Sequence, residues 1–377
     1  MRRDGRRRVA GLLDGVPIPM LAVDGQARTI AANRAAEALF GPDLLNRPFV
    51  TILRHPDVIA ALDRALDPES PTPPGPQLGP QLGPDAQRHA PQDGPARLRA
   101  QIAADGRLVA AEITVAPLPP ALGRGATVAI IDRSAAEEAE QLRRDFVANV
   151  SHELKTPLTA MTGFIQTLRG PARDDPAARD RFLDIMDSEA ARMNRLIADL
   201  LCLSRVQAGE RSRPAQHVDL AMLLREVLAT MGPAAHAAGV HIESDGLDGT
   251  IRVPGDADQL VQVFQNLVDN ALKYGGSGGW LGVRLARIDR EPLLRGPGWA
   301  VEIADRGDGI DGLHLPRLTE RFYRVDAHRS RAQGGTGLGL AIVKHIVNRH
   351  RGRLKIDSQR GAGTTVTVIL PETLKRL

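Results

Sequence analysis

The chain of 377 residues has little cysteine, lysine or aromatic content and no long apolar run. Its single cysteine, Cys202, excludes an internal disulfide framework and a cysteine-based zinc site, and it is typical of a reducing, cytoplasmic setting. The longest apolar runs, Val58–Leu62 and Leu220–Leu224, are far shorter than the roughly 20 residues that a membrane span needs. No apolar segment follows the arginine-rich start, Met1–Arg8, so this start is not a secretory signal peptide.

The charge balance argues against a nucleic-acid partner. Lysine and arginine together number 49 against 45 acidic residues, which gives a net charge of +4. After Arg8 the positive charges are interspersed with acids, a pattern typical of a solvated surface. Aromatic residues make up 3% of the chain, too few for a platform on which bases could stack. We therefore expect no nucleic-acid partner.

The length predicts two or three domains, and the 42% apolar content is ample for packed cores. Composition divides the chain into three domains. Residues 9–133 mix strand and helix patterns and are interrupted by Pro68–Pro95, a flexible insertion dense in proline, glycine and glutamine. Residues 134–208 are helical in pattern. Residues 215–374 alternate helices with strands.

The middle region predicts a helical hairpin. Ala135–Arg144 is rich in good helix formers, and two apolar stripes at helical spacing lie on either side of the breaker cluster Gly170–Pro176. Two helices joined by a short turn form an antiparallel pair. One hairpin cannot cover this much apolar surface, so we expect a second copy to complete a four-helix bundle.

The last region predicts a mixed α/β sandwich. It is not a doubly wound Rossmann sheet, because no strand leads into a GxGxxG turn that opens a helix. The patterns predict helices at 219–231, 257–273 and 337–350, and strands at 239–244, 280–287, 299–304, 352–358 and 364–370.

The first candidate site lies on the first hairpin helix. His152 and Thr156 are four residues apart, and Glu153 is three residues from Thr156, so the three side chains lie near one side. A carboxylate beside an imidazole can leave one ring nitrogen free as a nucleophile, and the hydroxyl can orient a water. Pro157 removes a backbone donor and is expected to bend the helix. The alternative is an exposed histidine beside a surface ion pair.

The second candidate site is one face of the helix predicted at 257–273. Asn266, Asn270 and Lys273 share this face, while apolar residues fill the other positions. Carboxamide oxygens suit Mg²⁺, and a lysine ammonium suits phosphate. The alternative is a polar surface stripe.

Two glycine-rich segments complete the constellation. Asp305–Ile310 follows a strand, and its glycines permit close approach to a flat ring whose amine Asp305 could bind. Gly334–Leu340 opens a helix, whose free N–H groups favour phosphate. Between them Arg324 stands beside two aromatic residues, and residues 311–334 are expected to form a mobile lid.

In this order, the segments resemble the sequence boxes of the sensor histidine kinases of two-component signalling. The resemblance covers about residues 134–374 and is greatest to the phosphate-sensing type. It implies a multidomain α+β fold: a sensor domain, a dimeric hairpin that accepts phosphate, and an ATP-binding sandwich of the GHKL type. The H, N, G1, F and G2 boxes correspond to Ser151–Leu158, Asn266–Tyr274, Asp305–Ile310, Glu320–Val325 and Gly335–Leu340.

The resemblance assigns the chemistry residue by residue. His152 would be autophosphorylated, Glu153 would be its acid/base partner, and Thr156 would position water for dephosphorylating the regulator. Asn270, together with Asn266, would hold Mg²⁺.

The same resemblance implies the ATP contacts. Lys273 and Arg324 would touch the phosphates, Tyr274 would pack against adenine, and Asp305 would bind the adenine amino group. The other expected ATP contacts are Gly307, Gly309, Gly335, Thr336, Gly337, Leu338 and Gly339.

Residues 9–133 resemble a PAS domain through the opening Leu12–Asp24 and the segment Ala31–Glu37. The sequence indicates no PAS ligand. Members of the family usually carry membrane-spanning helices before this domain. Their absence predicts either a soluble form that senses through a partner or a shortened chain. In a shortened chain, Met1–Arg8 would be a juxtamembrane remnant or a weak contact to anionic lipid.

The implied activity is ATP-dependent autophosphorylation of His152, followed by transfer to an aspartate of a response regulator. A signal from the PAS domain is expected to tilt the helix at 134–150. Two other classes remain: a dimeric scaffold whose ATP site only regulates assembly, and an ATPase of the chaperone and mismatch-repair type. The helical histidine argues against the second class. DNA binding is disfavoured because no helix-turn-helix with a basic recognition helix is found.

Overall fold

The computed structural model describes residues 11–67, 95–104, 106–208, 214, 216–292, 294, 296–326 and 335–373. The arginine-rich start, all of the predicted insertion except Pro95, and residues 327–334 of the predicted lid lie outside these ranges. The chain divides into two compact units, Met1–Asp145 and Phe146–Leu377. Among the described residues, no helix is long and apolar enough to cross a membrane.

The first unit contains an antiparallel five-stranded sheet with short helices. Its strand order is β2-β1-β5-β4-β3. Asn33 is almost fully buried at the start of α1, where its side-chain oxygen accepts hydrogen bonds from the backbone N–H groups of Met20 and Ala36. The elements are β1 Met20–Asp24, β2 Thr29–Ala32, α1 Arg34–Phe40, α2 Phe49–Ile52, α3 Pro56–Leu66, β3 Ala96–Ala104, β4 Arg107–Pro117 and β5 Gly125–Asp132.

Two long helices form the predicted hairpin. Helix α4 spans Ser134–Arg169 and α5 spans Pro176–Ala208, so the breaker cluster separates them as expected. One face of α5, with Leu196 and Leu203, is buried in the main core of the second unit. Other large apolar side chains of the hairpin are exposed: Val147, Leu158, Ile165, Leu183, Ile185, Ile197 and Leu201.

The rest of the second unit is the predicted mixed sandwich. A five-stranded sheet in the order β11-β12-β10-β9-β7 is antiparallel except for the β7–β9 pair. The apolar faces of three helices pack in the core with this sheet. The elements are β6 His217–Asp219, α6 Leu220–Ala237, β7 His241–Asp245, β8 Arg252–Pro254, α7 Ala257–Gly275, β9 Trp280–Glu291, β10 Gly296–Asp305, α8 Gly339–Arg349, β11 Arg353–Gln359 and β12 Gly363–Pro371.

Two predicted helix boundaries were wrong. The helix predicted at 219–231 continues through Pro233 to Ala237, and the buried side chain of Ala235 packs its last turns into the core. The helix predicted at 337–350 begins at Gly339, because Gly337 has φ +72° and cannot belong to a right-handed helix. The strands β6 and β8, three residues each, were not predicted.

Candidate functional site

His152 lies in the middle of α4 with its side chain exposed to solvent. The hydroxyl of Thr156, one turn later, donates a hydrogen bond to the backbone carbonyl of His152 over 3.1 Å. Pro157 is buried within the helix and cannot donate to the carbonyl of Glu153. Thus the helix presents an open imidazole beside a turn whose backbone hydrogen bonding is incomplete.

The neighbouring Glu153 carboxylate is the centre of a largely buried charge cluster. Its Oε2 atom accepts hydrogen bonds from Nη2 of Arg192, at 2.8 Å, and from Nη2 of Arg324, at 3.2 Å. The side chain of Glu153 is 15% exposed, that of Arg192 11% and that of Arg324 7%. Arg324 belongs to the F-box segment, so this cluster joins the hairpin to the expected nucleotide domain.

Helix α7 carries the expected metal and phosphate ligands on a half-buried face. Its apolar face is buried in the core, which leaves Asn266 and Asn270 partly accessible. Lys273 forms an ion pair with Asp269 at 2.6 Å. Tyr274, at the end of the helix, is 37% exposed. Asn266 and Asn270 are therefore partly accessible to a ligand that lies along this face.

The G1 segment packs tightly against the end of α7. A Cβ atom on Gly307 would lie 2.5 Å from Cα of Gly275 and 2.8 Å from the carbonyl oxygen of Tyr274, so only glycine fits. The carboxylate of Asp305 accepts hydrogen bonds from the N–H groups of Gly307, at 2.9 Å, and Thr364, at 3.3 Å. The pKa of Asp305 is raised, because the effect of burial is larger than the opposing effect of these two hydrogen bonds. Gly309 also needs to be glycine, with φ +65°.

The G2 segment lies between the F box and α7. The N–H of Phe322 donates to the carbonyl oxygen of Gly337 over 2.8 Å. Gly339 opens α8 at a point where an added Cβ would lie 3.2 Å from Oδ1 of Asn266. The hydroxyl of Thr336 donates to Oδ2 of Asp199 over 2.7 Å. Gly335 precedes this turn, and Leu338 is fully buried beneath it.

An unsatisfied donor at this turn fits an anionic ligand. Nε of Arg324 is buried without a hydrogen-bond partner among the described residues. A Cβ on Gly337 would lie 3.2 Å from that atom, so the absence of a side chain leaves space beside the guanidinium. A buried unpaired donor is costly, and a phosphate oxygen would satisfy it.

The structure thus brings the N, G1 and G2 boxes together along the second half of α7, and the F box contacts the G2 turn. Arg324 and Glu153 are also in contact. His152 itself is exposed, and its imidazole has no hydrogen-bond partner among the described residues. The candidate site therefore contains the residues expected to bind the nucleotide, whereas the expected phosphoryl acceptor, His152, is exposed to solvent.

The sequence analysis did not identify Arg192 and Asp199. Both lie on α5 at helical spacing with the buried residues Leu196 and Leu203, so they are polar positions in an otherwise apolar face. Two charged residues within an apolar helix face were the signal from which the sequence could have identified them. Burial raises the pKa of Asp199, while the hydrogen bond from Thr336 and the charge of Lys273 act against the increase.

Family models match three stretches of the chain. A PAS domain matches residues 7–70, and the His Kinase A (phospho-acceptor) domain matches residues 142–209. The histidine kinase-, DNA gyrase B-, and HSP90-like ATPase matches residues 255–374. These matches cover the stretches that contain His152 and the nucleotide-site glycines.

Curated relatives agree with these models. The sensor-like histidine kinase SenX3 of Mycolicibacterium smegmatis is 41% identical over 249 residues, which is 66% of this chain and 62% of that protein. The phosphate regulon sensor protein PhoR of Pseudomonas aeruginosa is 40% identical over 236 residues, which is 63% of this chain and 52% of that protein. The chain therefore spans about half to three fifths of the length of these two relatives.

A solved structure of the Acinetobacter baumannii histidine kinase AdeS matches 59% of this chain and 98% of its own, with a TM-score of 0.46 and 24% identity. The assignment rests on the sequence matches. The PAS, phospho-acceptor and ATPase models match in this order, and the two relatives are 41% and 40% identical. Over about two thirds of its length the chain is similar to the sensor-like histidine kinase SenX3 and to the phosphate regulon sensor protein PhoR.

Proposed function

We propose that this chain is an ATP-dependent histidine autokinase whose phosphoryl group then passes to a response regulator. The observation that supports it most is the contact between Glu153 and Arg324. It links the carboxylate of the residue that follows the acceptor histidine in the chain to the arginine expected at the terminal phosphate, over 3.2 Å. A scaffold that only binds nucleotide does not need this pairing.

In the proposed reaction a ring nitrogen of His152 attacks the γ-phosphorus in line, the bond to the bridging oxygen of the β-phosphate breaks, and ADP leaves. Glu153 takes the imidazole proton. His152 is exposed to solvent, so the proposed attack includes a step in which the nucleotide domain brings the γ-phosphate to its imidazole. The phosphoryl group then passes to an aspartate of the regulator, and Thr156 would orient the water that later removes it.

The proposed nucleotide site has a defined role for each residue. Asp305 would bind the adenine amino group, and Tyr274 would cover the ring. Lys273 and Arg324 would neutralise phosphate oxygens. The G2 turn, with Thr336, would supply backbone N–H groups at the start of α8.

Two amides of α7 fit Mg²⁺. Asn270 and Asn266 are half-buried, and the missing side chain of Gly339 leaves space at Oδ1 of Asn266. When bound, the metal would offset the negative charge of the phosphates.

We propose functional domains at 9–133, 134–208 and 215–374. We propose the cytoplasm as the compartment, because the nucleotide substrate is available there.

PhoR is named as a phosphate regulon sensor, and this resemblance supports a phosphate response as the pathway.

We also propose a homodimer through the hairpin, because its apolar side chains are exposed, with Leu158 at 58% and Leu201 at 54%. The variant Leu201→Glu is expected to be monomeric by light scattering. Leu313→Glu, at an 83% exposed position outside the hairpin, is expected to remain dimeric. A monomeric wild-type chain would contradict this arrangement.

The autokinase is tested by incubating the full chain with γ-labelled ATP and Mg²⁺. We expect a label that is stable to alkali and labile to acid, as phosphohistidine is. His152→Ala should lose the label and still bind ATP, whereas Asn270→Ala should weaken ATP binding. ATP binding by the wild-type chain without any label would favour the scaffold.

A further inference from the structure

One carboxylate oxygen of Glu153 is shared by two arginines from different elements. Arg192 comes from the second hairpin helix, and Arg324 comes from the F-box segment. The three side chains are at most 15% exposed, so solvent and salt screen this cluster weakly. A carboxylate held by two cations in such a site has a fixed position.

The two arginines differ in what else holds them. Nη1 of Arg192 also donates to Oε1 of Glu189, one turn earlier on α5, at 2.8 Å. Arg192 is therefore clamped between two carboxylates and belongs to a long helix. Arg324 has one carboxylate partner among the described residues. Nε of each arginine is buried without a hydrogen-bond partner among the described residues, and that of Arg324 lies beside Gly337.

This difference decides which arginine can leave. A phosphate at the G2 turn would compete with Glu153 for the guanidinium of Arg324, because both ligands bind its N–H groups. After that exchange Arg192 would be the remaining cation on Glu153. A buried carboxylate without a cation is unfavourable, and the glutamate side chain would lose its orientation.

We propose that Arg192 is a positioning residue that holds Glu153 beside His152 while Arg324 binds the nucleotide. The proposal rests on the proposed autokinase reaction and adds a residue that lies outside the five sequence boxes. Arg192 acts through Glu153 and does not touch the reacting atoms.

The test is the rate of His152 phosphorylation in the full chain, measured against ATP concentration. Arg192→Met is expected to lower the rate at saturating ATP by roughly tenfold to a hundredfold, part of what general acid/base catalysis contributes. Its KM for ATP and its nucleotide Kd should stay within about twofold of wild type. Arg192→Lys keeps the cation and should recover much of the rate. The control is Arg195→Met, on the same helix and exposed, which should match wild type.

A second measurement separates positioning from general damage. If Arg192 acts through Glu153, then Arg192→Met should cause little further loss in a Glu153→Ala background. A full additional loss, or an equal loss in both Arg192→Lys and Arg192→Met with a lower melting temperature, would overturn the proposal. If Arg192→Met were labelled at the wild-type rate, the positioning role of Arg192 would be overturned. The proposed kinase reaction would then still stand. A wild-type chain that forms no phosphohistidine would contradict the reaction itself.

Discussion

Thr336 donates its hydroxyl hydrogen to Asp199 over 2.7 Å, which ties the G2 turn to the second hairpin helix. Together with the contact between Glu153 and Arg324, this bond occupies two residues that the proposed reaction assigns to phosphates. A nucleotide phosphate that binds Thr336 and Arg324 would take them from Asp199 and Glu153 of the hairpin. Nucleotide binding and release of the hairpin are therefore expected to be coupled.

The charge of Asp199 should oppose nucleotide binding. Asp199→Asn keeps an acceptor for Thr336 but removes a negative charge near the expected phosphates. Removing one such charge is worth about 1 kcal/mol, so we expect the variant to bind ATP roughly fivefold more tightly at pH 8. Calorimetric titration measures this. Asp187→Asn, at an exposed position on the same helix, is the control. Equal affinities for wild type and Asp199→Asn would show that Asp199 does not oppose the nucleotide.

Asp199 should also make stability depend on pH. Its pKa in the folded chain is raised above the usual 3.8, mainly by burial, so the folded chain holds the proton more tightly than the unfolded chain. The contribution of protonated Asp199 to the free energy of unfolding is complete below the ordinary pKa. It is lost as the pH rises through the raised pKa of the folded chain. Melting temperatures of wild type and Asp199→Asn should therefore diverge in favour of the variant between pH 4 and pH 8. A constant difference over this range would rule out the linkage.

A methyl group on Gly307 should disrupt the G1 segment. The new Cβ would lie 2.5 Å from Cα of Gly275, a backbone atom that cannot move aside. We expect Gly307→Ala to cost about 1–3 kcal/mol of stability and to weaken ATP binding more than tenfold. Gly312→Ala is the matched control, because nothing lies within 4 Å of its Cβ position. Denaturant unfolding and nucleotide titration measure both effects. Equal behaviour of the two variants would contradict the packing argument.

His350 should make the nucleotide domain sensitive to acid. Its Nε2 accepts the N–H of Asp256 at 3.0 Å, and its Nδ1 lies 2.8 Å from the carbonyl oxygen of Ile346, so the ring is neutral. Burial lowers the pKa of His350 from the usual 6.5, because charging the ring there is unfavourable. The contribution of neutral His350 to the free energy of unfolding is complete above the ordinary pKa. It is lost as the pH falls through the lowered pKa of the folded chain.

The measurement for His350 is urea unfolding between pH 5 and pH 8. His350→Gln should be about 1–3 kcal/mol less stable than wild type at pH 8, and the difference should shrink at lower pH. His241→Gln, at a side chain that is 75% exposed, should follow the wild-type curve. A His350→Gln deficit that is independent of pH would contradict the neutral-ring account.

Local patterns predicted most helices and strands after residue 133, because helical spacing and strand alternation mark which face of each element is buried. For residues 9–133 they predicted only a mixture of strands and helices. The hairpin and the face of α7 with Asn266 and Asn270 were predicted in this way. The three-residue strands β6 and β8 were missed, because such short pairs carry no periodic signal. The helix predicted at 219–231 was too short, because burial of Ala235 keeps the turns through Pro233 to Ala237 helical.

The contacts within the candidate site could not be predicted from spacing. Arg192 and Glu153 are 39 residues apart, and Thr336 and Asp199 are 137 apart. The pairing of the two hairpin helices brings the first pair together, and the packing of the hairpin against the nucleotide domain brings the second pair together. The sequence indicated which residues carry the chemistry, and the fold determined which charges they meet.

The most direct test of the account is the position of the phosphate after one turnover. The full chain would be incubated with ATP and Mg²⁺, digested at alkaline pH, and its phosphopeptides sequenced by mass spectrometry. The account predicts the phosphate on the imidazole of His152, with one ADP formed for each phosphate bound. Phosphate on another residue, or ADP released as phosphate appears in solution without any phosphohistidine, would contradict it.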